Sequence, residues 1–179
     1  MNVSDVYPFQ LTGQFFTGAV LLEESRVNLL NHASVQNMWQ EFKKTNPEAA
    51  AHYEAWAFGD SEEMADELAE LVKDGTKTAT SSNYSLYEED EPLPYPGLHN
   101  IVLDGEGKAA AVIVTTAVDI VPFDEVTEKH AYLEGEGDRS LAYWRKEHED
   151  FFKREFEEST MDFHEKIPVV CERFKVVYK

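Results

Sequence analysis

The sequence predicts an α+β fold that forms a single domain. Three segments carry apolar residues at helical spacing; they begin near Ser34, Ser61 and Leu141, and Ser140 is a suitable cap for the last of them. Other segments are rich in β-branched and aromatic residues and have the length of strands; they span 98–103, 109–121 and 169–178. With 179 residues, the chain is long enough to bury one core, so we expect helices packed around one small sheet.

The strongest helix signal begins at Ser61 and ends before Gly75. Ser61 is a suitable N-terminal cap, and the glutamates that follow it favour the positive end of the helix dipole. Its apolar positions form one stripe, made of Met64, Ala65, Leu68, Ala69 and Val72. Gly75 follows the stripe, where a residue that adopts positive φ commonly ends a helix.

An earlier helix is predicted to begin at Ser34, which is a suitable cap, and to end near Thr45. Asn46 and Pro47 then stop this helix and allow a second one to start, since proline suits a first helical turn. A short helix over residues 48–53 is therefore expected.

The second half of the chain is predicted to contain the sheet. Residues 84–97 form a loop, because an acidic run and three prolines oppose regular strand pairing. Strands over 98–103 and 109–121 form a hairpin, and the second is apolar on both faces, so it is expected to lie deep inside. In the last strand, 169–178, Glu172 is an acid on an otherwise apolar face.

Composition limits the partners of the chain. The formal net charge of −19 opposes binding to duplex DNA, because proteins that grip a duplex by its phosphates normally present a basic surface. No apolar run approaches the roughly 18 residues of a membrane span, and no secretory signal is evident, which indicates a soluble cytoplasmic protein. The only cysteine, Cys171, excludes an intramolecular disulfide and is expected to serve in packing. Oligomeric state cannot be inferred from these properties.

A lysine beside the helix end is the first candidate for chemistry. Lys77 and Thr80 follow Gly75 in a run with the alternation of a strand, so a bulge or twist is needed to bring their side chains together. Desolvation beside an apolar wall is expected to lower the pKa of Lys77 toward a value useful in catalysis.

The pattern of Gly75, Lys77 and Thr80 resembles the signature of the ASCH domain, a family with a PUA-like β-barrel associated with RNA. An arginine usually follows two residues after that threonine, and this chain has Ser82 there. Residues 127–134 resemble the acidic helix end found at the corresponding place in the family, and residues 134–138, Tyr143, Trp144 and His148 resemble its longer bacterial branch. The resemblance covers residues 34–179, so we expect an ASCH-like domain over 33–179, with a small, partly closed barrel, preceded by an arm over 1–32.

The resemblance implies two alternative functions. The first is a hydrolase, either a ribonuclease or an amidohydrolase of acylated nucleosides, with catalytic Lys77 and Glu134 and a hydroxyl from Thr80 or Ser140. The second is a non-catalytic RNA-recognition module. In either case the partner is single-stranded RNA or a nucleoside-like small molecule, and the expected ligand contacts are Gly75, Ser82, Trp144, His148 and Glu172. Glu172 is expected to pair with Lys77 or Arg145, because an unpaired buried carboxylate is costly.

Three carboxylates alternate with glycines in Glu134, Glu136 and Asp138. Oxygen ligands of this kind suit Mg²⁺ or Mn²⁺, with Glu136 and Asp138 as the predicted metal ligands. A solvated acidic loop is the alternative interpretation of the same residues.

Overall fold

The computed structural model describes residues 32–50, 52–87, 92–157, 159 and 161–179. Within them the chain has the predicted α+β fold, in which four helices surround a five-stranded sheet curled into a half-barrel. The helices are α1 (Ala33–Thr45), α2 (Glu62–Asp74), α3 (Glu128–Glu134) and α4 (Leu141–Phe156). The strands are β1 (Glu54–Ala57), β2 (Ala79–Asn83), β3 (His99–Leu103), β4 (Ala109–Pro122) and β5 (Pro168–Tyr178). Residues 1–31 of the predicted arm lie outside the described part.

The sheet has the strand order β1-β3-β4-β5-β2. The β1–β3 pair is parallel, and all other neighbours are antiparallel. Strands β1 and β2 are therefore the edges, and the curl of the sheet brings their ends together. Nζ of Lys77, two residues before β2, lies 5.0 Å from the ring centre of Phe58, which directly follows β1. The candidate site lies at this junction of the two edges.

Both faces of the sheet are covered, since successive side chains of a strand point to opposite sides. Ile101 and Leu103 of β3 join the apolar cluster under α1, whereas Val102 between them joins the cluster that α2 covers. A third cluster forms around Trp144 and Phe152 of α4. These clusters fix the ends of α2, α3 and α4, which carry the charged residues of the site. No helix in the described ranges combines the length and the apolar character needed to cross a bilayer.

Side-chain caps set the helix boundaries. Ser61 Oγ accepts a hydrogen bond from Met64 N at 3.2 Å, and Ser140 Oγ accepts one from Tyr143 N at 3.0 Å, which confirms both predicted caps. Gly75 ends α2 in the left-handed conformation, with φ of 77°, also as predicted. The sequence therefore located the ends of these helices correctly.

Two predictions near α1 are wrong. The helix begins at Ala33, with His32 at the cap position, because the Ser34 hydroxyl instead accepts from the backbone N–H of Ala109 at 3.0 Å. The predicted helix over 48–53 does not form in the described residues of that range. Tyr53 packs on Trp39 of α1 with ring centres 4.5 Å apart, and this tertiary contact overrides the local helix signal.

Strand β4 is less deeply buried than its composition suggests. Its first half lies between β3 and β5, but the pairing with β3 stops at Val114. Beyond that point β5 is the neighbour of β4, and Thr116, Asp119 and Ile120 are exposed. The prediction of deep burial along the whole strand is therefore correct only for its first half.

Candidate functional site

A buried lysine defines the candidate site. After the cap at Gly75, the backbone N–H groups of Thr76 and Lys77 both donate to the carbonyl oxygen of Leu71, at 2.9 and 3.0 Å. This tight turn directs the Lys77 side chain inward, where only 1% of the residue is exposed. Because lysine is almost never fully buried without a partner, its charge must be compensated inside the fold.

Two carboxylates hold the Lys77 ammonium group. Nζ donates to Oε1 of Glu136 at 2.6 Å and to Oε2 of Glu134 at 3.2 Å. Burial by itself lowers the pKa of Lys77, but attraction and hydrogen bonds from Glu136 and Glu134 outweigh it, so the pKa is raised. The predicted direction of this shift is wrong, because the sequence did not show that both counter-charges meet the same nitrogen. Lys77 is a fixed cation.

Glu134 is surrounded by donors on both carboxylate oxygens. Five side chains lie within hydrogen-bonding or ion-pair distance: Ser81 Oγ (2.6 Å), Trp144 Nε1 (2.6 Å), His130 Nε2 (3.2 Å), Lys77 Nζ (3.2 Å) and His148 Nε2 (3.5 Å). Burial raises the pKa of Glu134, but the charges of Lys77 and His148 and the hydrogen bonds of the histidines outweigh it, so this pKa lies well below its usual value. Glu134 is therefore a fixed anion at the centre of the network.

Both histidines of the network favour the protonated state. Burial lowers the pKa of His130, but hydrogen bonds with Cys171 and Glu134 outweigh it and raise this pKa to about 9. The pKa of His148 is also raised, because attraction to Glu134 exceeds the effect of burial. The His148 ring stacks on Trp144 with centroids 4.2 Å apart, and its Nδ1 lies 3.0 Å from the Trp144 carbonyl oxygen. Stacking and hydrogen bonding fix the ring.

Close backbone packing brings the acidic segment to Lys77. The N–H group of Thr78 donates to the carbonyl oxygen of Leu133 at 2.8 Å, which ties the end of α3 to the start of β2. Gly135 follows α3 with φ of 79°, and a Cβ atom there would lie 2.6 Å from the Thr76 carbonyl oxygen. Only glycine permits this approach, which delivers Glu134 and Glu136 to the lysine.

The charged network faces a narrow cleft with a cavity of about 70 Å³. Lys77, Thr80, Glu136 and His148 contribute polar groups to its wall. Apolar side chains form the rest of the wall, among them Phe58, Met64, Leu68 and Phe151. Such a cleft combines a buried cation, a hydroxyl group and a low-dielectric lining.

The model of the ASCH domain family matches residues 54–178, which include every group of this network. The chain belongs to the ASCH domain family. ASCH domains have a PUA-like fold of a type associated with RNA binding, so the predicted family and the predicted barrel are both confirmed.

Two solved structures resemble this ASCH domain closely. An ASCH domain from Lactobacillus crispatus JV V101 is 33% identical, with a TM-score of 0.75, and the match covers 80% of this chain and 94% of that one. A protein from Enterococcus faecalis V583 is 39% identical, also with a TM-score of 0.75, over 81% of this chain and 88% of that one. No curated protein shows significant similarity to the chain.

The ASCH fold gathers only some of the predicted site residues. Those that line the cleft are Lys77, Thr80, Glu134, Glu136 and His148, and Trp144 supports them from behind. A regular strand would direct the Lys77 and Thr80 side chains to opposite faces of the sheet. Both residues nevertheless line the cleft, because β2 begins only at Ala79 and Lys77 belongs to the preceding turn. Gly75 and Ser140 serve as helix caps, and Ser82 Oγ lies 2.9 Å from the hydroxyl of Tyr87.

Glu172 has different neighbours from those predicted. It accepts a hydrogen bond from Thr115 Oγ1 at 3.2 Å, whereas Lys77 binds other carboxylates and Arg145 donates to the carbonyl oxygen of Asp124. The predicted pairing with either cation is therefore wrong. Burial raises the pKa of Glu172 to about 7, and the nearby charge of Glu54 adds to this effect. The fold thus favours the protonated form of Glu172 and does not pair it with Lys77 or Arg145.

The predicted metal ligands have other partners. Glu136 binds Lys77, and Asp138 Oδ1 accepts from the backbone N–H of Ser140 at 2.9 Å. Within the described ranges, no three acidic, histidine or cysteine side chains are arranged to hold a metal ion. These residues do not fit a Mg²⁺ or Mn²⁺ site as they stand, and metal binding here stays an untested prediction.

Sequence reasoning missed Ser81 and did not place His130 among the site residues. Ser81 Oγ lies 2.9 Å from His130 Nε2 and donates to Glu134, 53 residues later in the chain. Nothing local to Ser81 indicates such a long-range contact. The spacing of His130 and Glu134, four residues apart on one helix, is a signal that could have paired them.

Proposed function

We propose that this ASCH domain is a hydrolase that removes an acyl group from the base of a nucleoside. The observation that carries the proposal is Lys77, a cation held 1% exposed in a cleft that Thr80 also lines. A preorganised cation in a water-poor site stabilises a developing oxyanion far better than one in water. Hydrolysis of an amide develops an oxyanion of this kind.

The charges of the cleft favour an amide over a phosphodiester. Lys77 is flanked by two carboxylates, Glu134 and Glu136, which repel the multiple negative charge of a phosphoryl transition state. An amide transition state carries a single developing charge, which one ammonium group can match. The cavity of about 70 Å³ also suits a small acyl group better than a length of RNA backbone.

Each catalytic side chain has a separate role in this proposal. Lys77 donates a hydrogen bond to the carbonyl oxygen and stabilises the oxyanion. The Thr80 hydroxyl attacks the carbonyl carbon, and the acyl group is later released to water. Glu134 keeps the Lys77 ammonium group in position through its 3.2 Å ion pair. A cytoplasmic location is part of the same proposal, since it would give the protein access to the nucleoside pool.

Non-catalytic RNA recognition is the second candidate function. The observation that favours it is the pairing of the Lys77 ammonium group with two carboxylates, together with pKa shifts that keep Lys77 protonated and Glu134 ionised. The same cleft would then bind a single unstacked base from single-stranded RNA.

Replacement of Lys77 tests the first proposal. Wild-type protein should hydrolyse at least one N-acylated cytidine in a panel that also contains short single-stranded RNAs. Lys77→Met should lower kcat/KM about 10²-fold or more, because a single oxyanion-stabilising group acts on this scale. Lys73→Met is the matched control, since Lys73 is a lysine at the exposed end of α2 and its loss should leave turnover unchanged.

Loss of Lys77 leaves buried carboxylates without their cation, which costs about 3–5 kcal/mol of stability in comparable sites. The variant should therefore be assayed below its melting temperature, together with Lys77→Met/Glu134→Gln, which removes both charges. Wild-type turnover that persists in both variants would contradict the role of Lys77. RNA binding that depends on Lys77, without turnover of any substrate, would support the recognition module instead.

A further inference from the structure

The cleft needs a group that takes the proton from the attacking hydroxyl, and Glu134 is poorly suited to that task. Its Oε1 accepts from Ser81 and Trp144, and its Oε2 faces Lys77 and His148. Protonation of either oxygen would disrupt this arrangement, and the pKa of Glu134 is already held well below its usual value. Glu134 is built to remain an anion.

The other ionisable groups of the wall are also unsuitable as bases. The pKa of Lys77 is raised, so its ammonium group retains its proton. The pKa of His148 is raised as well, and both of its ring nitrogens lie near acceptors, Glu134 and the Trp144 carbonyl. Glu147 lies on the rim, 42% exposed, and pairs with Lys146. None of these groups is free to accept a proton beside Lys77.

Glu136 differs from all of them. Its Oε1 binds Lys77 at 2.6 Å, and no other side chain in the described part of the chain hydrogen-bonds to its carboxylate. The side chain is 18% exposed, whereas that of Glu134 is 2% exposed. One carboxylate oxygen therefore remains available to a substrate or a water molecule in the cleft.

The backbone holds Glu136 in place. Gly135 and Gly137 on either side have φ of 79° and 53°. A Cβ atom on Gly137 would lie 2.3 Å from the ring of Tyr143, so this ring packs directly on the segment. Glu136 is thus both positioned and accessible, as a general base must be.

We propose that Glu136 is the general acid and base of this cleft, an inference that rests on the proposed hydrolase function. The Thr80 oxygen bonds to the acyl carbon while its proton passes to Glu136. The carbon–nitrogen bond then breaks, and Glu136 returns the proton to the departing nitrogen of the base. In the second half of the reaction, water attacks the acyl-threonine ester, Glu136 takes the water proton, and the threonine oxygen recovers it as the carboxylic acid leaves.

The test compares the two carboxylates that bind Lys77. Glu136→Gln should lower kcat about 10²-fold or more with little change in KM, since it removes proton transfer and keeps the shape of the side chain. Formate should restore part of the activity of Glu136→Ala by supplying a carboxylate in the space left open. It should not restore Glu134→Ala, in which several buried donors lose their common acceptor. Glu128→Gln, on the exposed first turn of α3, is the control and should keep full activity.

Each result decides between the two carboxylates. Activity of Glu136→Gln within about threefold of wild type would overturn the inference, because loss of acid–base catalysis costs ~10²-fold. Formate rescue of Glu134→Ala but not of Glu136→Ala would overturn it as well. Either result would leave the hydrolase function intact. Thermal melting of each variant shows whether a lost activity reflects lost folding. A wild-type protein that turns over no acylated nucleoside overturns the hydrolase function itself, and the role of Glu136 with it.

Discussion

Folding shifts the pKa values of two buried glutamates of this protein in opposite directions, because their neighbours differ. Glu134 meets a lysine and two histidines, which hold its pKa well below the usual value. Burial and the nearby charge of Glu54 raise the pKa of Glu172 to about 7, although the Thr115 hydroxyl donates a hydrogen bond to its carboxylate. Burial alone therefore does not decide the charge of a carboxyl group; the nearest donors and charges do.

This difference predicts how Glu172 affects stability. The folded-state pKa of about 7 lies above the usual 4.5, so unfolding releases a proton between these values and stability falls as pH rises from 4.5 to 7. The full loss of folding stability is about 3 kcal/mol; it is present above pH 7 and absent below pH 4.5. Glu172→Gln keeps the contact with Thr115 and cannot ionise. It should therefore be more stable than wild type at pH 8 and nearly equal to it at pH 4.

Urea unfolding at the two pH values measures this difference. The exposed Glu128→Gln serves as the control and should show no such dependence. A stability difference for Glu172→Gln that is the same at pH 4 and pH 8 would show that folding does not shift the pKa of Glu172.

At the scale of single residues, the sequence located Lys77, Thr80 and Glu134, because their spacing resembles a family signature. It did not reveal how these residues are charged. The raised pKa of Lys77 depends on Glu136, 59 residues away, and the lowered pKa of Glu134 depends on Lys77, 57 residues away. Contacts of this kind are set by the fold, so no local pattern in the chain could have shown them.

At the scale of elements, two glycines with the same backbone conformation meet different structural requirements. Gly75 ends α2 with φ of 77°, and a Cβ atom there would meet nothing within 4 Å. Gly135 ends α3 with φ of 79°, but its Cβ would lie 2.6 Å from the carbonyl oxygen of Thr76. Gly75 is needed only for its dihedral angle, whereas Gly135 also permits α3 to touch the Lys77 turn.

The comparison gives a matched pair of variants. Gly75→Ala should cost about 1 kcal/mol, the usual penalty for an L-residue in the left-handed region. Gly135→Ala should cost more, because the backbone of the Thr76 turn must also shift, and it should reduce turnover by moving Glu134 away from Lys77. Denaturant unfolding and kcat/KM check both effects. Equal losses of stability in the two variants, with turnover intact, would show that the close approach is unimportant.

Element boundaries were predictable where local chemistry sets them. The caps at Ser61, Gly75 and Ser140 are local hydrogen-bonding and dihedral signals, and each occurs where predicted. The segment 48–53 was mispredicted because Tyr53 packs against Trp39, a contact outside its own sequence window. The β1–β3 pairing is parallel and likewise joins distant segments, so no local pattern could have predicted it.

At the scale of the whole molecule, a chain with a net charge of −19 buries a positively charged group in its cleft. The acidic surface repels long nucleic acids, and salt weakens this repulsion. The interior network combines three cationic groups, Lys77, His130 and His148, with two carboxylates, Glu134 and Glu136. Its net charge is therefore positive, whereas the surface is acidic. Such a molecule suits a small neutral ligand, such as an acylated nucleoside, better than a polyanion.

The central claim is that Lys77 is a permanently charged group held between two carboxylates. Nuclear magnetic resonance of the ¹⁵N-labelled lysine side chains measures this directly, with the Lys77 signal assigned by its absence from Lys77→Arg. We predict that Nζ of Lys77 stays protonated up to and beyond the usual lysine pKa of 10.5, because Glu136 and Glu134 stabilise the ammonium form. A Lys77 amine that loses its proton below 10.5 would contradict this account and would make the lysine itself the base.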